Sequence, residues 1–407
     1  MKKFNLHWQI AIAFILAVLF GLFLTDYVVY VKWMGEIFLR GLNMIIVPLI
    51  LTSIISGVVS IGSGGNLGRL GFKTAVYYII TSLFAIVTGL ILVNIFKPGV
   101  GIDLGLRQDL QSLPGTQKSF GEILISIVPT NIFSAFSEGQ TISIIFFAIL
   151  FGFFITKIDS KYKENLQNFF EGASEVIMKI TIFIMKFAPI GIFGIIAKTV
   201  AEQAGDLNNL LNIVGRLGIY MLVVISGLVI HSMITLPALL KFAGRVSPVK
   251  HLKVMSTPLV TAFSTSSSNA TLPLTIDAVE HKAGVSNKIA SFTLPLGATV
   301  NMDGTALYEC VAAMFIAQAY GIEMHFAQQF IIVFTALLAS IGAAGVPMAG
   351  LVMMSIVLTS VGLPLEGIGL ILAVDRLLDM FRTTVNVFSD SCGAVIIAKT
   401  EKENLKV

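Results

Sequence analysis

Long runs of apolar residues recur along this chain and constrain its fold more than any other feature. The clearest lie at 9–25, 34–60, 72–96, 166–197 and 212–241, and a membrane-spanning helix needs roughly 20 such residues. Charged residues make up only 12% of the 407 residues, about half of their share in a soluble domain. Too few polar groups remain to cover a water-soluble globule, so the sequence predicts an all-α, polytopic membrane protein.

The same composition excludes several classes of function. The net charge of +4 is scattered rather than gathered into a patch, which argues against nucleic-acid binding. Cys310 and Cys392 both lie in apolar segments and offer neither a disulfide framework nor the spacing of metal ligands. No Gly-x-x-x-x-Gly-Lys motif occurs, so ATP hydrolysis by this chain is excluded. No histidine or lysine pattern accompanies the serines as a general base, which disfavours a membrane hydrolase.

Lysine and arginine residues are distributed unequally between the predicted loops. With the N-terminus placed in the cytoplasm, sixteen of the 27 fall on the inner side, six on the outer side and five within spans. Inner loops of membrane proteins carry the excess of positive charge. The distribution therefore predicts a multi-pass protein of the cell membrane with both termini in the cytoplasm.

Two segments of the C-terminal half are interrupted by residues that lipid does not tolerate. Segment 250–281 has two short apolar halves around the polar tip 264–271, and segment 326–362 has two around the glycine-rich tip 342–347. Each half is too short to span a bilayer, and an irregular tip must be buried in protein or line a wet cavity. The pattern predicts two re-entrant helical hairpins; two ordinary spans with a kink are the alternative.

A helix with polar residues at membrane depth follows each hairpin. The first, 286–321, contains the motif TVNMDGT, and a hairpin followed by a broken helix, occurring twice, is an internal repeat typical of secondary transporters. Such inverted repeats place the binding site at their interface near the midplane, which points to transport rather than to catalysis. The second helix, 366–399, carries five polar residues: Asp375, Asp379, Arg382, Asn386 and Asp390.

These five residues form one stripe. At 100° per residue they fall within a sector less than about 90° wide. A charge at the centre of a bilayer is costly, so the stripe needs partners, water or ions. In a purely structural ion-pair network, which is one alternative, Arg382 pairs with Asp379 but leaves three carboxylates without a cation: Asp303, Asp375 and Asp390.

Chemical complementarity predicts the ligands. Sodium is a hard cation that takes carboxylate, amide and carbonyl oxygens, and Asn301 and Asp303, with Gly304 to unwind the helix, suit such a cage. Asp379 suits an ammonium group and Arg382 a carboxylate, while the half-helix ends at the hairpin tips favour a second carboxylate. The predicted substrate is an acidic amino acid, L-glutamate or L-aspartate.

The same motifs closely resemble the dicarboxylate/amino acid:cation symporters, a family that includes the archaeal aspartate transporters and the mammalian excitatory amino acid transporters. The resemblance rests on three serines followed by TLP at 271–273, on NMDGT at 301–305, on GVP at 345–347, and on DMFRT and NVFSD within 379–390. It covers essentially the whole chain. Several separate motifs in the right order make it very specific.

The resemblance implies a homotrimer in the lipid bilayer, with eight spans and two re-entrant hairpins in each protomer. In this fold a transport domain moves as an elevator against a scaffold. The implied parts are scaffold helices 1–2 (1–70), transport-domain helix 3 (71–97), scaffold helices 4–5 (119–197), transport-domain helix 6 (210–242), hairpin 1 (250–281), helix 7 (286–321), hairpin 2 (326–362) and helix 8 (366–399).

The resemblance also implies binding residues by position, with Na+ as the coupling ion and no organic cofactor. The implied substrate pocket comprises Ser267, Ser268, Thr305, Val346, Gly350, Asp379, Arg382, Thr383 and Asn386. The first implied sodium site uses Asp390 and carbonyls of Gly297, Asn301 and Asn386. The second uses carbonyls of Thr299, Ser340, Ile341 and Ala343, and the third uses Asp303, Asn301, Tyr78, Thr81 and Ser82.

Some positions depart from the family pattern or vary within it. Ser266 and Met380 stand where archaeal and animal members, respectively, have an arginine, and Arg376 is a candidate substitute. Glu309, one turn after Thr305, stands where animal members have a glutamate associated with proton movement, so it is the candidate for proton coupling. The alternative for Glu309 is a glutamate hydrogen-bonded in a polar crevice.

The sequence therefore predicts a secondary active symporter of acidic amino acids driven by Na+, with H+ left open as an additional coupling ion. A proton-coupled carrier of C4-dicarboxylates or neutral amino acids is the first alternative. Arg382 argues against neutral substrates, which would leave a buried guanidinium unpaired, and Asp379 argues against plain dicarboxylates. An anion channel, which would conduct without stoichiometric dependence on Na+, is the alternative from another class.

Overall fold

Every regular element in the part of the chain that the computed structural model describes is helical. The described residues are 6–62, 68–102, 121, 125, 127–202, 207–342 and 349–407. The α-helices are α1 (Leu6–Phe23), α2 (Lys32–Gly62), α3 (Gly68–Phe96), α4 (Ile132–Ser137), α5 (Thr141–Ile155), α6 (Ser160–Met185), α7 (Ala188–Glu202), α8 (Leu207–Ile230), α9 (Leu236–Phe242), α10 (Pro248–Val254), α11 (Ser256–Thr265), α12 (Ser268–Asp277), α13 (Asn287–Val300), α14 (Asp303–Ala319), α15 (Phe326–Gly342), α16 (Ala349–Ser360) and α17 (Ile368–Thr400).

Short non-α segments connect or extend several of these helices. The turns Thr25–Tyr30 and Leu365–Gly367 are 3₁₀-helical and precede α2 and α17. A π-helical turn, His231–Thr235, joins α8 to α9 without a gap, so the three form one long helix. A second π-helical segment, Ala278–Ala283, follows α12.

Three of the described helices are long and apolar enough to cross a membrane: Lys32–Ser60, Arg69–Phe96 and Leu211–Phe242. Helices α6 and α7 form a fourth candidate, bent by 52° at a short break. The span predicted at 166–197 is therefore bent rather than straight. The segment before it consists of two pieces, α4 and α5, which are separated at Glu138 to Gln140. The total of eight spans stays a prediction.

The helices pack into two groups. In the first, α2 packs against α5, α6 and α7, while α1 packs against α7. In the second, α14 lies against α3, and α17 contacts α8, α11, α13 and α14. Helix α2 also touches both helices of the second hairpin, α15 and α16, so it forms much of the boundary between the groups.

Both interrupted segments of the C-terminal half fold as helical hairpins rather than as kinked single helices. Helix α11 packs against α12, and Ser266 between them adopts a left-handed conformation with φ of 50°. Helix α15 packs against α16, while their tip, 343–348, lies outside the described residues. The depth of either tip in a membrane stays a prediction.

The two polar helices that follow the hairpins differ, which corrects the prediction that both are broken. The first is interrupted at Asn301 and Met302, whose backbones are not helical, between α13 and α14. The second, α17, is one continuous helix of 33 residues. Residues 370–392 contain neither glycine nor proline, and both residues favour a break within a helix.

Candidate functional site

The buried acidic, arginine and histidine side chains of the described residues all lie in the C-terminal half. Four elements supply them: the π turn between α8 and α9, α10, α14 and α17. The set is His231, His251, Asp303, Glu309, Asp375, Asp379, Arg382 and Asp390. Because a buried charge requires a partner, their contacts define the candidate site.

Asp303, the first residue of α14, is fully buried and receives hydrogen bonds from neighbouring helices. Ser82 Oγ of α3 donates to Asp303 Oδ1 at 2.6 Å, and Thr81 Oγ1 donates to the same oxygen at 3.2 Å. Ser389 Oγ of α17 donates to Oδ2 at 2.6 Å. Thr81 Oγ1 also lies 3.4 Å from Asn301 Oδ1. Four of the five residues predicted for the third sodium site thus form one cluster of oxygen atoms.

Asp390 of α17 is the second buried carboxylate beside the break between α13 and α14. Asn301 Nδ2 donates to Asp390 Oδ1 at 2.8 Å. Gly297 approaches so closely that a Cβ atom there would collide with the Asp390 carboxylate and lie 2.8 Å from Tyr78 Oη. Tyr78 Oη donates to the carbonyl of Thr293 at 2.7 Å. Tyr78, which was predicted for the third sodium site, therefore lies beside Gly297 of the first predicted sodium site.

Asn386 fastens the start of α14 to α17. Its Oδ1 accepts a hydrogen bond from the backbone N–H of Gly304 at 2.8 Å, and its Nδ2 donates to Thr305 Oγ1 at 3.2 Å. A Cβ atom on Gly304 would lie 2.7 Å from the carbonyl oxygen of Arg382. Gly304 is helical, so its role is this close approach of two backbones, and the break itself lies at Asn301 and Met302.

Arg382 is fully buried and neutralised by two carboxylates of its own helix. Its Nη2 donates to Asp379 Oδ1 at 2.9 Å and lies 3.1 Å from Asp375 Oδ1. The prediction that an ion-pair network leaves Asp375 without a cation is therefore wrong. The guanidinium stands 3.8 Å from the centre of the Tyr308 ring, while Nε and Nη1 have no hydrogen-bond partner among the described residues. Two donors of a buried cation thus remain available to an anion.

The second hairpin reaches this open side of Arg382. A Cβ atom on Gly350, near the start of α16, would lie 2.9 Å from Arg382 Nη1 and 3.3 Å from Thr305 Cγ2. Thr305 and Thr383 are both buried. Gly350 therefore belongs to the group predicted to hold the substrate, whereas Val346 lies outside the described residues, as does Ala343 of the second predicted sodium site.

The tip of the first hairpin is buried at 266–268 and exposed on either side, and it bonds to itself. Ser267 Oγ accepts a hydrogen bond from the backbone N–H of Ala270 at 3.2 Å and so caps α12. Thr271 Oγ1 donates to the Ser267 carbonyl at 2.9 Å. Ser268 is buried at the first position of α12. Helix α11 packs on α17, which brings the tip region to the helix that carries Arg382.

The remaining residues of the second predicted sodium site lie on packed helices. Ser340 is buried near the end of α15. A Cβ atom on Gly57 of α2 would lie 3.7 Å from the carbonyl oxygen of Ile341. Thr299 is exposed near the end of α13, and its hydroxyl donates to the carbonyl of Leu296. Helices α13 and α15 are in contact, and the grouping of these carbonyls in one sodium site stays a prediction.

Glu309 lies one turn after Thr305 on α14 and is fully buried. Neither of its carboxyl oxygens has a hydrogen-bond partner among the described residues. The alternative of a glutamate hydrogen-bonded in a polar crevice is therefore not supported by the contacts of its described neighbours. A buried, unpartnered carboxyl suits a group that binds a proton, because its charged form is the costly one.

Two contacts of Asp303 were not predicted from the sequence. Ser389, one residue before Asp390, donates to it, and His231 Nε2 lies 3.1 Å from Asp303 Oδ2. A histidine in the middle of an apolar span is more often a packing residue, and no spacing motif links it to Asp303. The polar character of His231 within the span was the only signal available.

The chemistry of the donors favours a hard cation. Hydroxyl, amide and carboxylate oxygens dominate the contacts around Asp303 and Asp390, and sodium takes such ligands. Within the described residues, no group of three or more His, Cys, Asp or Glu side chains is placed to hold a metal ion. Beside this oxygen cluster, Arg382 and Asp379 offer a cation and an anion to a charged organic molecule.

The chain is similar to known transport proteins over most of its length. The chain is 38% identical to a proton/sodium-glutamate symport protein of Bacillus caldotenax, over 98% of this chain and 96% of that protein. It is 34% identical to a proton/glutamate-aspartate symporter of Escherichia coli K12, over 98% and 93%. It is 38% identical to the mouse excitatory amino acid transporter 3, over 93% and 80%. Residues 6–400 match the sodium:dicarboxylate symporter family, and the chain belongs to that family.

Proposed function

We propose that this protein is a secondary active symporter that moves L-glutamate or L-aspartate across the cell membrane on a sodium gradient. The observation that carries the proposal is the arrangement around Arg382. A buried guanidinium keeps two donors available beside Asp379, and the oxygen clusters of Asp303 and Asp390 lie on the same helices. The names of the relatives, which are glutamate or glutamate-aspartate symporters, support the same substrate class.

The proposed roles follow the chemistry of each side chain. Arg382 binds the side-chain carboxylate of the substrate through Nε and Nη1, and Asp379 binds its ammonium group. Neighbouring groups complete the pocket: Ser267, Ser268, Thr305, Val346, Gly350, Thr383 and Asn386. The proposed sodium ligands are the three sets given by the resemblance, with Asp390 and Asp303 as the carboxylates of the first and third sites.

Transport by an elevator motion is proposed from the packing of the helices. Helices α1, α2 and α5–α7 form the proposed scaffold, and α3, α8–α9 and residues 248–400 form the proposed transport domain. The boundary between them, where α2 meets α15 and α16, is the surface along which the domain would slide. A homotrimer with both termini in the cytoplasm is part of the same proposal and rests on the resemblance and on the distribution of basic residues.

Proton coupling is proposed to involve Glu309, which is buried and unpartnered among the described residues. If Glu309 carries a proton with the substrate, Glu309→Gln should remove the pH dependence of uptake. A Glu309→Gln variant that keeps the wild-type pH dependence contradicts this role without touching the proposed coupling to Na+.

The deciding experiment is uptake of labelled L-aspartate and L-glutamate into proteoliposomes. One arm uses an inward sodium gradient, and the other replaces sodium by potassium and applies an inward proton gradient. Uptake only with sodium supports the proposed sites. Uptake with protons alone assigns the coupling to Glu309 instead, and no uptake in either arm excludes an acidic amino acid as the substrate. Conduction of anions without stoichiometric sodium would indicate a channel.

A further inference from the structure

His231 occupies an unusual place in the fold. It is fully buried in the middle of the long helix formed by α8 and α9, and its Nε2 lies 3.1 Å from Asp303 Oδ2. It is the first residue of the π-helical turn His231–Thr235. Single π turns within α-helices are rare and occur frequently at functional sites. The backbone irregularity and the contact with Asp303 thus coincide at one residue.

The donors around Asp303 are of two kinds. Ser82 and Thr81 donate to Oδ1, and Ser389 donates to Oδ2 beside His231. A hydroxyl rotates and presents either its proton or a lone pair, whereas a ring N–H only donates. When a cation approaches the carboxylate, the three hydroxyls can therefore turn their oxygens towards it. The imidazole N–H can only continue to hold Oδ2.

The geometry also indicates which ring nitrogen carries the proton. Nδ1 of His231 is buried and has no hydrogen-bond partner among the described residues. A proton on Nδ1 would be a buried donor without an acceptor, which costs free energy. The tautomer with its proton on Nε2 places that proton on the contact with Asp303.

We propose that His231 is the positioning residue that holds Asp303 in the orientation that binds Na+, and so sets the sodium affinity of that site. This inference rests on the proposed function, because it assumes that Asp303 is a sodium ligand. Hydrogen-bond partners that orient a metal ligand typically change metal affinity about 10–100-fold when they are lost. His231 acts through Asp303 and touches neither the ion nor the substrate.

His251 provides a matched control within the same part of the molecule. It is also a fully buried histidine, its Nε2 lies 2.9 Å from Ser391 Oγ, and its ring packs beside Phe388. Its Nδ1, like that of His231, has no hydrogen-bond partner among the described residues. The difference between the two is that His231 contacts a candidate ligand carboxylate, whereas the polar contact of His251 is with a serine.

The test compares the sodium concentration for half-maximal aspartate uptake in four variants. His231→Leu removes the donor and His231→Asn shortens it, so both should raise this concentration about 10-fold or more. His231→Gln returns an amide N–H near the position of Nε2 and should stay within about 3-fold of wild type. His251→Leu should leave the sodium curve unchanged while lowering thermal stability. The KM for aspartate at saturating sodium should change little in any variant.

Two outcomes would overturn the inference. One is a wild-type sodium curve in folded His231→Leu or His231→Asn. The other is a Gln variant that behaves like the Asn variant, because packing alone would then explain the effect. If the leucine variant does not fold, the Asn and Gln pair still decides. A wild-type protein without sodium-driven uptake overturns the proposed function instead, and binding of radioactive Na+ to the purified variants then tests His231 directly.

Discussion

The two helix groups of this molecule differ in the hydrogen-bond partners of their buried polar side chains. In the first group, buried hydroxyls bond within their own helix, as Ser53 Oγ does to the carbonyl of Leu49 at 2.6 Å. Charged residues of that group, such as Arg40 and Lys179, are exposed. In the second group, some buried hydroxyls also bond within their own helix, but several buried polar side chains bond across helices, as Ser82 does to Asp303. Among the described residues, the buried charged side chains therefore lie in the second group, where ions and substrate are proposed to pair with them.

Removing the buried cation is expected to have the largest effect. Arg382→Gln removes the buried cation that pairs with Asp375 and Asp379, and breaking a buried ion pair costs about 3–5 kcal/mol. We expect uptake of acidic amino acids to fall at least about 100-fold. Arg40→Gln, which changes an exposed arginine of the first group, should stay within about twofold in proteoliposome uptake corrected for folded protein. Equal losses of uptake in the two variants would contradict the claim that the second helix group alone holds the charges needed for transport.

Filling the contact between α14 and α17 is expected to have the next largest effect. A Cβ atom on Gly304 would lie 2.7 Å from the Arg382 carbonyl oxygen, so Gly304→Ala must push apart the backbones that carry the two ligand clusters. We expect uptake to fall about 10-fold, since overpacking costs about 1–3 kcal/mol. Gly172→Ala, in the first group, meets no atom within 4 Å and should leave uptake unchanged. Normal uptake by Gly304→Ala would show that the backbones of α14 and α17 can move apart here without loss of transport.

A smaller effect separates two buried serines with hydrogen bonds of the same length. Ser82→Ala removes a donor to Asp303, and Ser53→Ala removes a donor to a carbonyl of its own helix; both bonds measure 2.6 Å. We expect Ser82→Ala to raise the sodium concentration for half-maximal uptake about 3–10-fold, in line with about 1 kcal/mol for one hydrogen bond. Ser53→Ala should change it by less than about twofold. Sodium titrations that shift equally would contradict the proposed third site.

The smallest effect concerns Glu401, which follows the end of α17 outside the predicted span. The hydrogen bond from Lys73 holds the pKa of this carboxyl below its usual range, and Arg69 adds to the effect. A depressed pKa contributes stability above the ordinary carboxyl pKa and loses it as the pH falls through the lower value. Thermal melting between pH 5 and pH 3 should therefore weaken wild type more than Glu401→Gln, by at most about 1 kcal/mol. Parallel melting curves would show that this bridge does not contribute.

Periodicity and the cost of charge in lipid accounted for much of the fold and of the candidate site. The hairpins and the break at Asn301 follow from short apolar halves and from polar residues at depth. These features could be predicted because lipid leaves a polar group few alternatives. The clustering of Asp303 with Thr81 and Ser82 was implied by the family resemblance alone. The family resemblance added the carbonyl ligands, which a sequence pattern cannot display.

Other features depended on contacts that no local pattern encodes. A π turn shifts the face that a helix presents, so regular spacing does not place His231 beside Asp303. The sharing of Arg382 between Asp375 and Asp379 depends on the rotamer that Tyr308 supports from another helix. The continuity of α17 was missed because polar residues at membrane depth were taken as the sign of a broken helix. Its polar side chains instead pair within α17 and with neighbouring helices.

The continuity of α17 also sets the distance between its two ends. Its 33 residues extend over about 50 Å at 1.5 Å per residue, and Asp379 and Asp390 lie about 16 Å apart along its axis. If this continuous helix moves as one rigid element, spectroscopic labels at its two ends should report one constant separation in every state of the proposed transport cycle. Labels on α17 and on α2 would report the displacement between the groups, with α17 as the internal standard.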